Sequence, residues 1–515
     1  MRVEDAVVYP GASQATAKWS VRLLGRLPSF PALIAAALLA KAYWTCRGRI
    51  ADPDLGFHLL NGQYILAHHR LPTIDTYSYT AAGSLRLDHA WLPEVLYYLA
   101  QHVLGLRGIF LVLAASAVVL YLGIFLLCRK ETRDPLAAGI ATILGGLLAM
   151  VTFTPRTQNI GWLCFLAVYA ILLRFRATRR APLWLIPAVF CLWINCHGMW
   201  PFGFIVFGVI LGAGWIRRNV GPLQAAPWTE AERRKLLAVF AASVAALFLN
   251  PFGYQLVFLP VRLLFRLQMG FAFIEEYASV NFNDARGIYM MIVLGMLYVM
   301  AMVPRRPWRI DDAVLTVAVL YLGLSHVRLL IVPGIVLPPI LAPQLGRISA
   351  YDPAHERRAL NAALLAVVLA VLVWGFPSER YLEAQMEDFF PVGAVNYLEA
   401  HPQEGNMFNS YNWGGYLEWR LPQVRTFIDS RDDIFEFKGV FKDYLDIIDL
   451  NNSQELLDRY QVSYLLYPAG APLSYFLSKS PSWECIYRDR QAVIYRRQSV
   501  AEADSGSSKA PPAAS

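Results

Sequence analysis

The chain has 515 residues, 56% of them hydrophobic, and a positive mean hydropathy, which argues against an ordinary soluble enzyme. The formal net charge of +8 comes from basic residues spread over short segments between apolar runs, so a nucleic-acid-binding surface is not expected. The six cysteines form no CxxC pair and no regular spacing, so neither a zinc site nor a disulfide framework is predicted.

Apolar runs dominate the chain between residues 31 and 377, and each is long enough to cross ~30 Å of hydrocarbon. They predict an α-helical polytopic membrane protein with about eleven spans. The predicted spans are 31–47, 107–128, 135–153, 158–174, 182–197, 201–216, 236–250, 286–303, 311–325, 329–346 and 359–376.

Lys and Arg cluster in alternate connections, for example at Arg129-Lys130-Arg133, at Arg174 to Arg180 and at Arg305-Arg306-Arg309. Under the positive-inside rule these connections are cytoplasmic, and so is the N-terminal segment 1–30. The odd number of spans then places the C-terminal region outside. We therefore expect a multi-pass protein of the inner (plasma) membrane.

Two external loops, 48–106 and 251–285, are too long to be simple connectors. The first contains an amphipathic segment, Leu55 to His69, and an apolar helix from Leu92 to Leu104. The second contains a Leu/Phe-rich segment that lies at the membrane interface or re-enters the membrane.

Beyond residue 377 the pattern changes to short strands alternating with helices, which predicts an extracytoplasmic α/β domain at 378–498. Its predicted strands are Met407–Ser410, Arg425–Asp429 and Val462–Tyr467, followed by a hairpin over Trp483–Arg497. Residues 499–515, rich in Ala, Ser and Pro, predict a disordered tail.

Polar clusters stand at the outward ends of the apolar runs, so groups remote in sequence converge at one membrane surface. Near each other in the chain are Asp52, Asp54 and His58; Arg156 and Gln158; Asn195 and His197; Asn250 and Pro251; Glu275 and Glu276; His326 and Arg328. Clustered ionisable groups of this kind are typical of a functional site.

Asp54 precedes the helix that starts at Leu55, so helix capping alone could explain it. Capping does not call for a second carboxylate, Asp52, with His58 on the same helical face, and a functional role is favoured. Oxygen ligands at Asp52 and Asp54 could hold a divalent metal, but leaving-group stabilisation by arginine makes a metal unnecessary. We predict no cofactor and no metal.

An arginine at the outward face needs a partner, which is either a carboxylate or lipid headgroup or a substrate phosphate. For Arg156 the two alternatives are equal, and His326 beside Arg328 strengthens the phosphate interpretation. Asn195 and His197 fit helix capping and a site equally well. Asn250-Pro251 is more typical of a stop and turn.

The succession Asp52-Pro53-Asp54, His58, Ser78-Tyr79-Thr80 and Trp91-Leu92 resembles the first external loop of bacterial GT-C-type membrane glycosyltransferases. The resemblance is to the group related to protein mannosyltransferases and aminoarabinose transferases, which use lipid-linked sugars. Later segments agree with it: Arg156-Thr157-Gln158, Trp193 to Gly198, Asn250 to Gly253, Glu276-Tyr277, Tyr411 to Leu417 and Phe427 to Arg431.

The resemblance implies inverting transfer of a sugar from a polyprenyl-phosphate donor to a glycan, lipid or protein acceptor on the extracytoplasmic side. It implies Asp54 as the catalytic base, with Asp52 as its neighbour or the alternative base. The remaining residues expected to bind substrate or its phosphate are His58, His89, Arg156, Gln158, His197, Glu276, His326 and Arg328.

The chain departs from the family pattern at two places. His89-Ala90-Trp91 stands where relatives often carry a lysine-proline pair for the lipid phosphate, and Thr157 interrupts an expected arginine-proline-glutamine. A lipid transporter or flippase is the rival class, although the chain lacks repeated halves and has few ionisable groups at mid-membrane depth. A non-catalytic scaffold of the same fold also remains open.

Overall fold

The computed structural model describes residues 28–150, 153–266, 273–349 and 351–498. The predicted tail 499–515 and nearly all of the predicted cytoplasmic segment 1–30 lie outside these ranges. The described chain is mainly helical up to residue 400 and then alternates between helices and short strands.

The helices up to residue 400 follow one another with short connections. They are α1 (Phe30–Cys46), α2 (Leu55–His68), α3 (Trp91–Leu104), α4 (Leu106–Glu131), α5 (Pro135–Ala149), α6 (Gln158–Thr178), α7 (Leu185–Ile194), α8 (Pro201–Ala213), α9 (Glu230–Ala246), α10 (Tyr254–Val257), α11 (Leu259–Arg266), α12 (Ala285–Met302), α13 (Ile310–Ser325), α14 (Ile331–Leu345), α15 (Arg358–Trp374), α16 (Glu379–Phe389) and α17 (Val392–Ala400).

Among the described residues, three helices are long and apolar enough to cross a membrane: α4, α6 and α12. A fourth span results if α15 and α16, which meet at 62°, are counted as one. Shorter apolar helices are α1, α5, α7, α8 and α14. The expected number of about eleven spans therefore stays a prediction.

Helix α14 is buried along nearly its whole length and lies at the centre of the bundle. It contacts α5 backbone to backbone, because a Cβ added at Gly145 would lie 2.3 Å from the carbonyl oxygen of Gly334. Small residues at such crossings let apolar helices approach closely. A short 3-10 turn, Val327–Leu329, precedes α14 and places Arg328 just before the N-terminal end of that helix.

The first external loop forms α2 and α3, as the sequence predicts, and the two helices pack on each other. Gly62 makes this packing possible, because a Cβ at that position would lie 2.3 Å from the carbonyl oxygen of Glu94. The packing brings His58 and Glu94 together on the buried side of the loop. In the second loop, 251–285, the described residues include the short helices α10 and α11 and a 3-10 turn, Glu275–Tyr277.

The C-terminal part contains a four-stranded sheet in the order β1-β2-β4-β3. Its strands are β1 (Asn406–Asn409), β2 (Val462–Pro468), β3 (Trp483–Arg488) and β4 (Ala492–Arg497). The β1–β2 pair is parallel, and the other two pairs are antiparallel, with Leu465 opposite Tyr495. The helices around it are α18 (Gly414–Arg420), α19 (Asp432–Phe437), α20 (Val440–Ile448), α21 (Ser453–Arg459) and α22 (Pro472–Ser478).

The predicted strand Arg425–Asp429 is wrong. Thr426 forms an isolated parallel bridge with Ser78 of the first external loop, and the segment does not join the sheet. The Thr426 amide donates to the carbonyl of Tyr77, and the Tyr79 amide donates to the carbonyl of Thr426, each at 3.1 Å. This segment thus joins the C-terminal part to the external loop.

A second contact between the two parts lies at the start of α2. A Cβ added at Gly56 would lie 1.9 Å from the carbonyl oxygen of Gly415, and one at Gly415 would lie 2.5 Å from that of Pro53. Only glycine allows the two backbones to approach this closely. The contact holds the C-terminal part directly beside the Asp52–Asp54 segment.

Candidate functional site

Arg156 lies at the centre of a group of three carboxylates, the Arg156 cluster. Its Nε lies 2.7 Å from Asp52 Oδ2 and 3.5 Å from Asp54 Oδ2, and its Nη1 lies 2.6 Å from Glu276 Oε2. The three acids come from the loop before α2 and the turn before α12, so the fold joins elements far apart in sequence. The guanidinium is mostly buried, where its charge acts on the acids with little screening.

Asp52 and Asp54 have different surroundings. The side chain of Asp52 is 2% exposed, and it accepts hydrogen bonds from Thr154 Oγ1, Arg156 Nε and the Asp54 amide. Asp54 is 21% exposed, and although it stands at the N-cap position its side chain accepts no capping hydrogen bond. Asp52 is thus held in place by its hydrogen bonds, whereas the carboxylate of Asp54 is partly accessible to a substrate.

Arg328 forms a second group with neutral partners, the Arg328 cluster. It donates from Nη1 to the Tyr277 hydroxyl at 2.8 Å and from Nε to Gln158 Oε1 at 3.4 Å, and its guanidinium lies over the Tyr277 ring. His326 Nδ1 lies 2.7 Å from the Tyr277 carbonyl oxygen. Within the described part of the chain, no carboxylate lies within ion-pair distance of Arg328, although the charges of Glu276 and Asp54 act on it from farther away.

His58 lies in a buried polar network under the first external loop. Its Nδ1 is 2.8 Å from Glu94 Oε1, which also accepts from Asn61 Nδ2 at 2.8 Å. Arg86 donates to Asn61 Oδ1 at 2.8 Å. Burial lowers the pKa of His58 to about 4, so the imidazole is neutral at pH 7. The network fixes the ring and its tautomer, which suits His58 to positioning.

His89 and His197 face each other across the site, with ring centroids 5.4 Å apart. Burial lowers the pKa of His89 to about 4 and that of His197 well below its ordinary value, and the charge of Arg328 adds to both shifts. His197 Nδ1 and Gln158 Nε2 are buried without a hydrogen-bond partner among the described residues. Such orphaned polar atoms near an arginine that forms no ion pair among the described residues are typical of a ligand site.

An apolar groove of about 680 Å³ is lined in part by residues that are close in sequence to these two histidines. Trp91 and Asn195 form its polar end, where Trp91 Nε1 donates to Asn195 Oδ1 at 2.9 Å. Each is two residues from one of the histidines, His89 or His197. The rest of the lining is Leu92, Ala188, Cys191, Leu192, Phe248, Leu249, Asn250 and Pro251.

Asn195 and Asn250 have structural roles at the ends of their helices. Asn195 Nδ2 donates to the carbonyls of Cys191 and Leu249, and Asn250 Nδ2 donates to those of Leu247 and Gly253. These bonds satisfy orphaned carbonyls where helices end. They agree with the stop-and-turn interpretation of Asn250-Pro251.

Sequence reasoning missed the contribution of α19 in the C-terminal part. Oδ2 of Asp432 is buried without a hydrogen-bond partner among the described residues. Burial raises the pKa of Asp432 to about 7; Asp433 and Asp54 raise it as well, and Arg328 opposes them. Asp432 is therefore close enough to Asp54 and Arg328 for their charges to act on its pKa, and in the sequence only its position directly after Asp429-Ser430-Arg431 pointed to it.

Arg431 fixes this segment through a buried ion-pair group, the Arg431 cluster. Its Nη1 lies 2.7 Å from Asp75 Oδ1, and its Nε and Nη2 contact the two oxygens of Asp429. Glu418 Oε1 lies 3.7 Å from Nη2. Although burial opposes the shift, Arg431 lowers the pKa of Asp429. One guanidinium thus joins the external loop to the C-terminal part.

The described residues contain no group of three or more His, Cys, Asp or Glu arranged to hold a metal ion. At Asp52, both carboxylate oxygens already accept hydrogen bonds from the protein. The expectation of a metal-independent reaction stays a prediction.

No protein-family model and no curated protein matches the chain. Solved structures are similar to it. The Archaeoglobus fulgidus oligosaccharyltransferase in the apo form is 14% identical with a TM-score of 0.51, and the alignment covers 88% of this chain and 70% of that one. ArnT from Cupriavidus metallidurans in the apo state is also 14% identical with a TM-score of 0.51, and the alignment covers 93% of this chain and 98% of that one. ArnT bound to undecaprenyl phosphate is 15% identical with a TM-score of 0.49 and the same coverage.

The two likenesses at 0.51 establish the fold, which is the GT-C fold. The recognition made from the sequence is therefore confirmed at the level of the fold. Together with the long apolar helices, the fold identifies a membrane protein. The orientation of the termini and the number of spans stay predictions.

Proposed function

We propose that the protein transfers a sugar from a polyprenyl-phosphate donor to an acceptor hydroxyl at the extracytoplasmic membrane surface, with inversion. The observation that carries this proposal is the arrangement of three features around one site. They are a carboxylate group held by Arg156, a partly buried Arg328 without an ion-pair partner among the described residues, and an apolar groove lined by Trp91 and Asn195, which lie two residues along the chain from His89 and His197.

Arg328 is the ligand that best suits the donor phosphate. Its hydrogen bonds go to neutral groups, so a phosphate would form the direct ion pair that no carboxylate among the described residues forms with it. Gln158 Nε2, which has no partner, is a further donor for a phosphate oxygen. Arg156 is surrounded by three acids, so in this proposal it aligns carboxylates and the phosphate lies nearer Arg328.

The apolar groove suits the polyprenyl chain. Its lining is mostly apolar, and two of its lining residues, Trp91 and Asn195, are each two residues along the chain from His89 or His197. A chain lying in the groove would present its phosphate towards the histidine pair and Arg328. The neutral imidazoles donate or accept hydrogen bonds there without adding charge.

The transfer itself requires a base and a stabilised leaving group. The acceptor oxygen attacks the anomeric carbon and its proton passes to the Asp54 carboxylate, while the bond from that carbon to the phosphate oxygen breaks. The phosphate leaves with the bonding electrons, and Arg328 stabilises its charge without protonation. Asp52 and Arg156 hold Asp54 in place. His58, Glu276 and His326 position the residues around the substrate.

The proposal is tested with purified full-length protein and synthetic undecaprenyl-phosphate sugars in lipid vesicles without nucleotide. We expect at least one of these donors to be consumed, with release of undecaprenyl phosphate. Consumption of a UDP- or GDP-sugar alone, in protein freed of lipid carriers, would contradict the proposal. Movement of a lipid-linked sugar between leaflets without bond cleavage would support the flippase, and no turnover of any donor would support the scaffold.

Arg328→Gln should lower turnover of the donor by about 10²–10³-fold, the usual loss when one preorganised group facing developing charge is removed. Glutamine keeps hydrogen-bonding capacity and removes only the charge. The measurement is steady-state donor consumption in the vesicle assay. Arg262→Gln, an exposed arginine of the second loop, is the control and should retain activity. Wild-type turnover in Arg328→Gln would show that the leaving phosphate lies elsewhere.

A further inference from the structure

A second cleft, of about 360 Å³, lies between α1 and α15 near the end of α1 that leads to Asp52. It shares no lining residue with the groove beside His89 and His197. Its lining consists of Ala40, Lys41, Trp44, Thr45, Val371 and Leu372. The cleft is therefore separate from the proposed donor site.

Lys41 gives this cleft a positive charge within an apolar helix. Its side chain is exposed at the helix surface, and in the described ranges no carboxylate pairs with its ammonium group. On neighbouring segments, Glu379 forms an ion pair with Arg107, and Glu356 forms one with Arg358. An unpaired cation in a membrane-spanning helix is costly unless its ammonium group reaches headgroups or binds an anion.

Arg47 adds a second cation next to Trp44. Its guanidinium lies 5.0 Å from the Trp44 ring centroid and 4.7 Å from that of Tyr381. Arg47 Nε is buried without a hydrogen-bond partner in the part of the chain that the structure describes. Lys41 and Arg47, neither of which pairs with a carboxylate among the described residues, thus both lie near Trp44.

The exposed tryptophans show where this cleft lies in the bilayer. Trp44 is 43% exposed and Trp374, at the end of α15, is 85% exposed. Exposed tryptophans at helix ends are typical of the headgroup region of a membrane. Lys41 is three residues from Trp44, or ~4.5 Å along the helix, so its long side chain reaches the phosphate level.

We propose that this cleft binds an anionic phospholipid of the leaflet on the side of Asp52. The phosphate lies between Lys41 and Arg47, and an acyl chain lies along Val371 and Leu372. Charge complementarity selects the occupant, because two unpaired cations favour a headgroup with a net negative charge over a zwitterionic one. The proposal does not depend on glycosyl transfer, so each of the two proposals can fail alone.

The test uses the full-length protein in vesicles of equal parts phosphatidylglycerol and phosphatidylethanolamine, extracted gently and weighed with its retained lipids by native mass spectrometry. We expect the wild type to retain phosphatidylglycerol preferentially. Lys41→Gln and Arg47→Gln should each lower the retained ratio of the two lipids about fivefold, the effect of one basic residue near an anionic surface.

The matched control is Lys130→Gln, which changes an exposed lysine in the last turn of α4 that does not line the cleft. It should retain the wild-type ratio of the two lipids. Equal ratios in the wild type and Lys41→Gln would overturn the proposal, and so would an equal loss in Lys130→Gln. Undecaprenyl phosphate is added in a separate arm. If it replaces the retained phosphatidylglycerol at equal concentration, and Lys41→Gln abolishes its binding, the cleft is a carrier-lipid site and the assignment to phospholipid is wrong.

Discussion

We expect Asp54→Asn to lower turnover by about 10²–10⁴-fold while the amount of folded protein stays unchanged. Asparagine has the shape of aspartate but cannot accept the acceptor proton. The Asp54 side chain makes no capping hydrogen bond and is partly exposed, so the substitution removes little structure. The measurement is donor consumption in vesicles, normalised to folded protein from size-exclusion chromatography.

Two further variants decide whether the effect belongs to Asp54. Glu275→Gln changes a 78% exposed carboxylate at the same membrane surface and should leave turnover unchanged. Asp52→Asn should weaken the Arg156 cluster and reduce turnover less than Asp54→Asn does. If Asp52→Asn is inactive and Asp54→Asn is active, the two roles are reversed. If both retain activity, neither residue is the base.

The sequence was sufficient to predict the convergence of the polar groups. Hydrophobic runs end where Asp52, Arg156, Glu276 and Arg328 stand, and the positive-inside rule places these ends on one side. The structure brings them into the Arg156 and Arg328 clusters. Periodicity and charge identify such ends without tertiary information, because the membrane restricts where a chain can turn.

The sequence could not predict how the two arginines divide their partners. Both stand at the ends of predicted spans, and a carboxylate or a phosphate was open as the partner of each, with His326 beside Arg328 favouring the phosphate. Only the packed loops show that Arg156 contacts three acids while Arg328 contacts a hydroxyl and an amide. The difference depends on Tyr277 and Glu276, adjacent residues that point to different arginines.

The wrong strand at Arg425–Asp429 has a similar cause. Its apolar and β-branched residues fit a strand, but the partner of Thr426 is Ser78, more than three hundred positions earlier in the chain. Local patterns show that a segment is extended and do not show what it pairs with. Asp432 was missed for the same reason, because this pairing and the Arg431 cluster bring it to the site.

Arg431→Met should destabilise the contact between the C-terminal part and the external loop by about 3–5 kcal/mol, because it leaves Asp75 and Asp429 buried without their cation. Methionine keeps the apolar stem of the side chain and removes the charge. The amides of Tyr79 and Thr426, which bond across the contact, report its opening. Their hydrogen exchange should accelerate by about two to four orders of magnitude.

The β2–β4 ladder, with Leu465 opposite Tyr495, provides the internal reference. Its amides should exchange at the wild-type rate, because the sheet does not contain the Arg431 cluster. Arg425→Gln, an exposed arginine on the same segment, is the matched control and should change neither region. Equal acceleration in both regions of Arg431→Met would mean that Arg431 stabilises the C-terminal part itself. Unchanged exchange at Tyr79 and Thr426 would mean that the glycine contact between Gly56 and Gly415 holds the two parts together without Arg431.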